Sequence, residues 1–129
     1  MNQPSKKLII IGRVLSGLAI AFLLFDGVMK FFMDKLPPEA LEAGAVLQWP
    51  IEKMPLVGTI LLAFLVIHLI PRTAILGAVL LTGYLGGAVA SHIRVSNPWF
   101  THALFPVYIA ILLWLGLYLR DARVKKTLE

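Results

Sequence analysis

The sequence predicts an all-α fold, a four-helix transmembrane bundle in up-down-up-down order, and three observations predict it. Four long apolar stretches follow one another along 129 residues, parted by short polar or proline-bearing breaks. The chain is 59% hydrophobic with mean hydropathy +0.85, above the share of about one half usual in soluble domains, so the solvent that suits it is itself apolar. Finally, Lys and Arg gather near the termini and at one corner, which is how membrane spans are oriented. A chain this short makes one domain, residues 1–129.

The first helix is expected over about residues 8–33. Its apolar run from Leu8 to Phe25 is interrupted only by Arg13, whose long stem lets the charge reach the interface. Lys6 and Lys7 before it resemble the start of a signal peptide, but no small-residue cleavage site follows, so the helix is read as retained. The stretch from Asp34 to Lys53 is polar and acidic and carries Pro37, Pro38 and Pro50. It is expected as a surface loop or short helix started by Pro38, with Trp49 as interface anchor. The second helix spans about 55–70 and stops at Pro71. The third spans 73–92. The fourth spans 98–119, with Asn97 as N-cap and Pro98 in the first turn.

Charge then sets the topology. Lys6, Lys7, Arg13, Arg72, Arg120, Arg123, Lys125 and Lys126 fall on one side, and Lys30, Lys35, Lys53 and Arg94 on the other. Eight against four places both termini in the cytoplasm of a multi-pass protein in a bacterial-type cytoplasmic (inner) membrane. The basic residues form no stripe with interleaved aromatics, which excludes a nucleic-acid footprint. With no cysteine there is no disulfide, no thiolate nucleophile and no Cys-ligated metal, so redox chemistry here must come from a cofactor or a partner.

The polar groups that could carry chemistry collect at the outer end. Asp26 and Lys30 stand one turn apart on the first helix. A carboxylate has too short a stem to snorkel, so Asp26 must pair with Lys30, Arg94 or His92, either as a structural tie or as a ligand-orienting acid. His92, Arg94 and His102 bracket the loop between the third and fourth helices and are brought to the same level by antiparallel packing. Two loop-flanking histidines fall short of a metal or haem ligand set, so no metal is assigned. Tyr84 lies about 12 Å below His92 by helical rise, deep enough for its hydroxyl to need a partner. His68, one turn before Pro71, reads as a lone interfacial histidine. Gly83, Gly87 and Ser91 stand four apart and are expected to be a stripe for close helix packing, with room for a planar ligand as the alternative.

IPRTAILGAVLLTGYLGGAVASHIR, GRVLSGLAIAFLLFDGVMKFF, the Gln48-Trp49-Pro50 element and FPVYIAILLWLGLYLRD together resemble the DoxX-like family of small four-helix membrane proteins. The resemblance covers nearly the whole chain. Gln48 and Ser91 depart from the Gly and Thr usual there. The resemblance implies the fold and membrane location. It also implies a link to quinone through a membrane oxidoreductase system, in which the chain is an accessory or quinone-interacting subunit beside a membrane redox partner. No catalytic residue is assigned, and the family leaves enzymatic activity open. The residues leave a second reading standing, a non-catalytic scaffold that binds lipid or a small hydrophobic ligand. Transport ranks last, because no inverted repeat is visible. So small a bundle leaves little room for an enclosed site in one copy, and the sequence leaves the oligomeric state open, with a homo-oligomer as one possibility.

Overall fold

A computed structural model describes residues 5–35, 37–39, 50–94, 96 and 99–128. Of the expected surface helix only its start is described, Pro38 and Glu39, which are helical; the rest with Trp49, and the Asn97-Pro98 cap, lie outside the described residues. All regular structure among the described residues is helical.

Helix α1 (Lys6–Met29) starts where Ser5 accepts a hydrogen bond from the Leu8 amide at 3.2 Å. It ends short of the expected Met33. The amides of Phe31 and Phe32 bond three residues back, to Val28 and Met29 at 3.1 and 3.0 Å, so the chain tightens into 3-10 geometry that continues at Met33–Lys35. Helix α2 (Met54–Leu69) carries Pro55 in its first turn, where a missing amide costs nothing. Ile70, placed before Pro71, is extended at φ −80°, ψ 120°, and this ends the helix. A 3-10 turn at Pro71–Thr73 makes the corner, closed by the Thr73 hydroxyl donating to the Ile67 carbonyl at 2.7 Å.

Helix α3 (Ala74–Arg94) runs two residues past its expected end. The fourth helix differs most from expectation. A π-helical turn occupies Trp99–Ala103, closed by the Leu104 amide on the Trp99 carbonyl at 2.8 Å, and α4 proper is Phe105–Arg120 with Pro106 in its first turn. Pro106 can begin a helix but cannot continue one, so the start lies there and not at 98. Asp121 is extended, and its carboxylate accepts from the Arg123 amide at 2.9 Å, starting a short helix not read in the sequence, α5 (Ala122–Leu128).

The four long helices form a ring in which α1 touches α4 and α2, and α3 touches α2 and α4. Gly12 of α1 lies against Gly116 of α4 while Phe22 meets Phe105; Gly27 lies against Leu62 while Gly58 reaches Lys30 and Phe31. Small side chains and leucines fill the interior, among them Ala19, Leu23, Leu61, Ala78, Leu81, Leu113 and Leu117. The outside is also apolar, with Ile10, Val14, Leu18, Leu56, Val66, Leu76, Val79 and Ile111 exposed. A helix apolar all round suits a lipid surrounding. Two helical stretches, Lys6–Met29 and Pro71–Arg94, are long and apolar enough to cross a membrane. At 16 residues each, α2 and α4 rise about 24 Å, a few ångströms short of the hydrocarbon thickness.

Candidate functional site

Where α1 and α3 end and α2 and α4 begin, the helices line a partly open cavity of about 400 Å³. This lies within the range of about 300–1,000 Å³ typical of small-molecule sites, and one copy of the chain forms it. The sequence leads one to expect little room for an enclosed site in one copy; the cavity that one copy forms is partly open.

The polar wall comes from α1 and α3. Lys30 donates to Asp26 Oδ1 at 3.0 Å, and the Tyr84 hydroxyl donates to Asp26 Oδ2 at 3.3 Å from 58 residues away. Helical spacing sets the first contact, since residues four apart share a face. The second depends on the diagonal placement of α1 and α3 across the ring. Both carboxylate oxygens are therefore engaged, as a buried polar group beside apolar walls requires. Asp26 and Lys30 are partly buried, with 34% and 18% of their side-chain surface exposed. His92 lines the same cavity one turn beyond Ala88. The remaining wall is apolar: Phe22, Leu23, Met54, Val57, Leu85, Phe105 and Pro106. Phe22 and Phe105 meet edge to face with ring centroids 5.0 Å apart. None of these apolar walls carries a polar mark that would single it out in the sequence.

Asp26, Lys30, Tyr84 and His92 thus share one cavity. Arg94 does not line it and stands exposed at the end of α3. His102 lies in the π-helical turn, and its side chain is outside the described residues.

Two expectations need correction. Gly83, Gly87 and Ser91 are not a close-packing stripe within this chain. They line the cavity, and a Cβ built on Gly83 or Gly87 meets nothing within 4 Å. Close approach occurs elsewhere. A Cβ on Gly116 would lie 2.7 Å from the Ser16 amide and 2.8 Å from the Gly12 carbonyl, one on Gly58 would lie 2.9 Å from the Gly27 carbonyl, and one on Gly77 would run into the backbone of His68. Nor is His68 interfacial: it is 2% exposed, with Nδ1 2.8 Å from the Ala74 carbonyl, because the Pro71 corner folds α3 tightly back upon it.

Neither the comparison with curated proteins nor that with solved structures gives a match. The DoxX-like family matches residues 14–116, a span that includes all four long helices or most of each, the Pro71 corner and every polar residue of the cavity. With helices of this length and apolarity beside that match, the chain is a small membrane protein and belongs to the DoxX-like family.

Proposed function

We propose that the chain is a multi-pass protein of the bacterial cytoplasmic membrane, its helices running up-down-up-down with both termini cytoplasmic, and that it binds a quinone as an accessory subunit of a membrane oxidoreductase system. The observation that carries this reading is an apolar cavity with an Asp26-Lys30-Tyr84 hydrogen-bonded group at its wall. A quinone is a flat apolar ring whose carbonyls accept hydrogen bonds, and it supplies two-electron, two-proton redox chemistry that the chain's own side chains lack.

The residues fit that shape. Lys30 gives one N–H to Asp26 and has two more to offer a carbonyl. Tyr84 and His92 are proton-bearing groups on the same wall, of the type that exchanges protons with a reacting carbonyl. Gly83 and Gly87 leave room for a planar ring, and Phe22 and Phe105 present faces and edges to it. Asp26 accepts hydrogen bonds from both Lys30 and Tyr84 and so holds them in place, which makes it a positioning residue. Electrons would come from a membrane redox partner, and lipid surrounds the bundle.

The test is a titration of the purified protein in detergent with a short-chain quinone, read by quenching of tryptophan fluorescence, together with mass spectrometry of extracted lipids. Quinone that co-purifies and binds saturably supports the reading. Asp26→Asn should then abolish binding while the thermal unfolding transition persists. Phospholipid alone in the extract, with no saturable quenching, would favour the lipid-binding scaffold.

A further inference from the structure

At the opposite end of the bundle, a second cavity of about 290 Å³ opens between the first half of α1, the end of α2, the Pro71 corner and the junction of α4 with α5. Its wall carries three guanidinium groups, Arg13, Arg120 and Arg123, and one carboxylate, Asp121. That carboxylate is already taken: Arg123 Nε and Nη2 donate to its two oxygens at 3.1 and 2.8 Å, and Nη2 also donates to the Pro71 carbonyl at 2.8 Å. Arg120 Nε donates to Ser16 Oγ at 2.9 Å, which aims the guanidinium between α4 and α1. Neither Arg13 nor Arg120 has a carboxylate within ion-pair distance among the described residues. The cavity wall therefore carries three positive charges against one negative, and that one carboxylate is already bound to Arg123.

A second, independent mark lies in the same wall. His68 is 2% exposed, and its Nδ1 sits against a carbonyl, which only accepts. Nδ1 therefore carries a proton, and Nε2 is the acceptor of the neutral ring. Nε2 is buried with no hydrogen-bond partner among the described residues, although buried polar atoms are nearly always matched. A group that brings both negative charge and a shareable proton satisfies all three residues.

We propose that this cavity is a binding site for a phosphoryl oxyanion, with two of its oxygens accepting from Arg13 and Arg120 and a third sharing one proton with His68 Nε2. Guanidinium groups match such oxygens in direction as well as charge. An ionised carboxylate has two oxygens for the two guanidinium donors but no proton to give the acceptor His68 Nε2, whereas a monoprotonated phosphoryl group offers both. The phosphoryl group belongs either to a phospholipid headgroup at that membrane face or to a free phosphate. Gly17, also on the wall, offers a way to close the site without harming the fold, because a Cβ there meets nothing within 4 Å.

The full chain in detergent would be titrated calorimetrically with inorganic phosphate and, separately, with dihexanoyl phosphatidic acid, using dihexanoylglycerol as the uncharged control. Binding of both phosphate probes identifies a site open to free phosphate; binding of the lipid alone identifies a headgroup site; either result supports the proposal. Gly17→Leu and Arg13→Gln should each weaken that binding by roughly ten-fold or more, the worth of a lost charge-assisted contact, while both unfold no earlier than the parent without ligand. Failure of both phosphate probes to bind would overturn the proposal. So would equal binding of dihexanoylglycerol, or affinities unchanged in both variants. None of these outcomes touches the quinone cavity at the other end.

Discussion

Replacing Gly87 with leucine separates a cavity from a packing stripe by the sign of its effect. A Cβ at Gly87 meets nothing within 4 Å, and the four added carbons enter a space of about 400 Å³, so no neighbour has to move. Exchanging glycine for leucine inside a helix removes backbone freedom from the unfolded chain and is worth about 0.5–1 kcal/mol. In a chain of this size that corresponds to a rise in Tm of roughly 2–4 °C. Were the stripe pressed against another helix, overpacking would cost about 1–3 kcal/mol and the Tm would fall. Gly77→Ala supplies the contrast, because its new methyl group would collide with the backbone of His68, which cannot swing away as a side chain can. That variant should unfold well below the parent. The chain has three tryptophans and no cysteine, so intrinsic fluorescence during heating in detergent is the appropriate readout. The same Gly87→Leu protein should lose saturable quenching by a short-chain quinone. A Tm lowered as far as that of Gly77→Ala would refute the cavity, and unchanged quinone binding in a folded Gly87→Leu protein would refute its use.

Tyr84→Phe removes one hydrogen bond to a charged acceptor at a long 3.3 Å and should cost about 1–1.5 kcal/mol, read as a Tm lowered by several degrees. The Arg123 side chain, by hydrogen bonding, holds the Asp121 carboxyl below its ordinary value, so whatever that pair contributes is present above an unfolded carboxylate pKa of about 3.9 and is lost as pH falls through the lowered folded value. Protection of the α5 amides, taken relative to their intrinsic exchange rates, should therefore fall below about pH 4 in the parent. Asp121→Asn, by contrast, should show low protection already at neutral pH and little further change in protection on acidification. Reporter fusions after Glu129 should report a cytoplasmic C-terminus, and an extracytoplasmic signal would invert the proposed topology.

Much of the helix order is legible in the sequence because prolines and apolar run lengths mark it. Pro71 stops α2, and Ala74–Arg94 departs from the expected third helix by only a residue or two at either end. The start of α4 was harder, since Pro98 and Pro106 both satisfy the rule for a first turn and only the π-helical turn between them decides in favour of Pro106. Asp26 with Lys30 follows from helical spacing alone. Asp26 with Tyr84 does not, because it depends on how α1 and α3 are rotated about their axes. In a water-soluble bundle that rotation is written in polarity. Here both faces of each helix are apolar, and hydropathy carries no such mark.

What distinguishes inside from outside in this chain is side-chain size, and even size has to be read against the facing helix. The buried face of α1 is Gly12, Ser16, Ala19, Leu23 and Gly27, recurring every three or four residues, while Ile10, Val14, Leu18 and Phe25 point outward. That small-residue seam is visible in the sequence and identifies the contact with α4 better than the glycines of α3 do. Gly12 and Ser16 stand four apart, as do Gly83 and Gly87, yet the first pair is closed and the second open. Opposite the first is Gly116, with no side chain, so the backbones of α1 and α4 come together. Gly83 and Gly87 share their space with Phe22 and Phe105, rings too large to let backbones meet. Two small surfaces that face each other make a joint, whereas a small surface facing large ones makes a cavity. The same spacing therefore holds this bundle together near its termini and opens it beside Asp26.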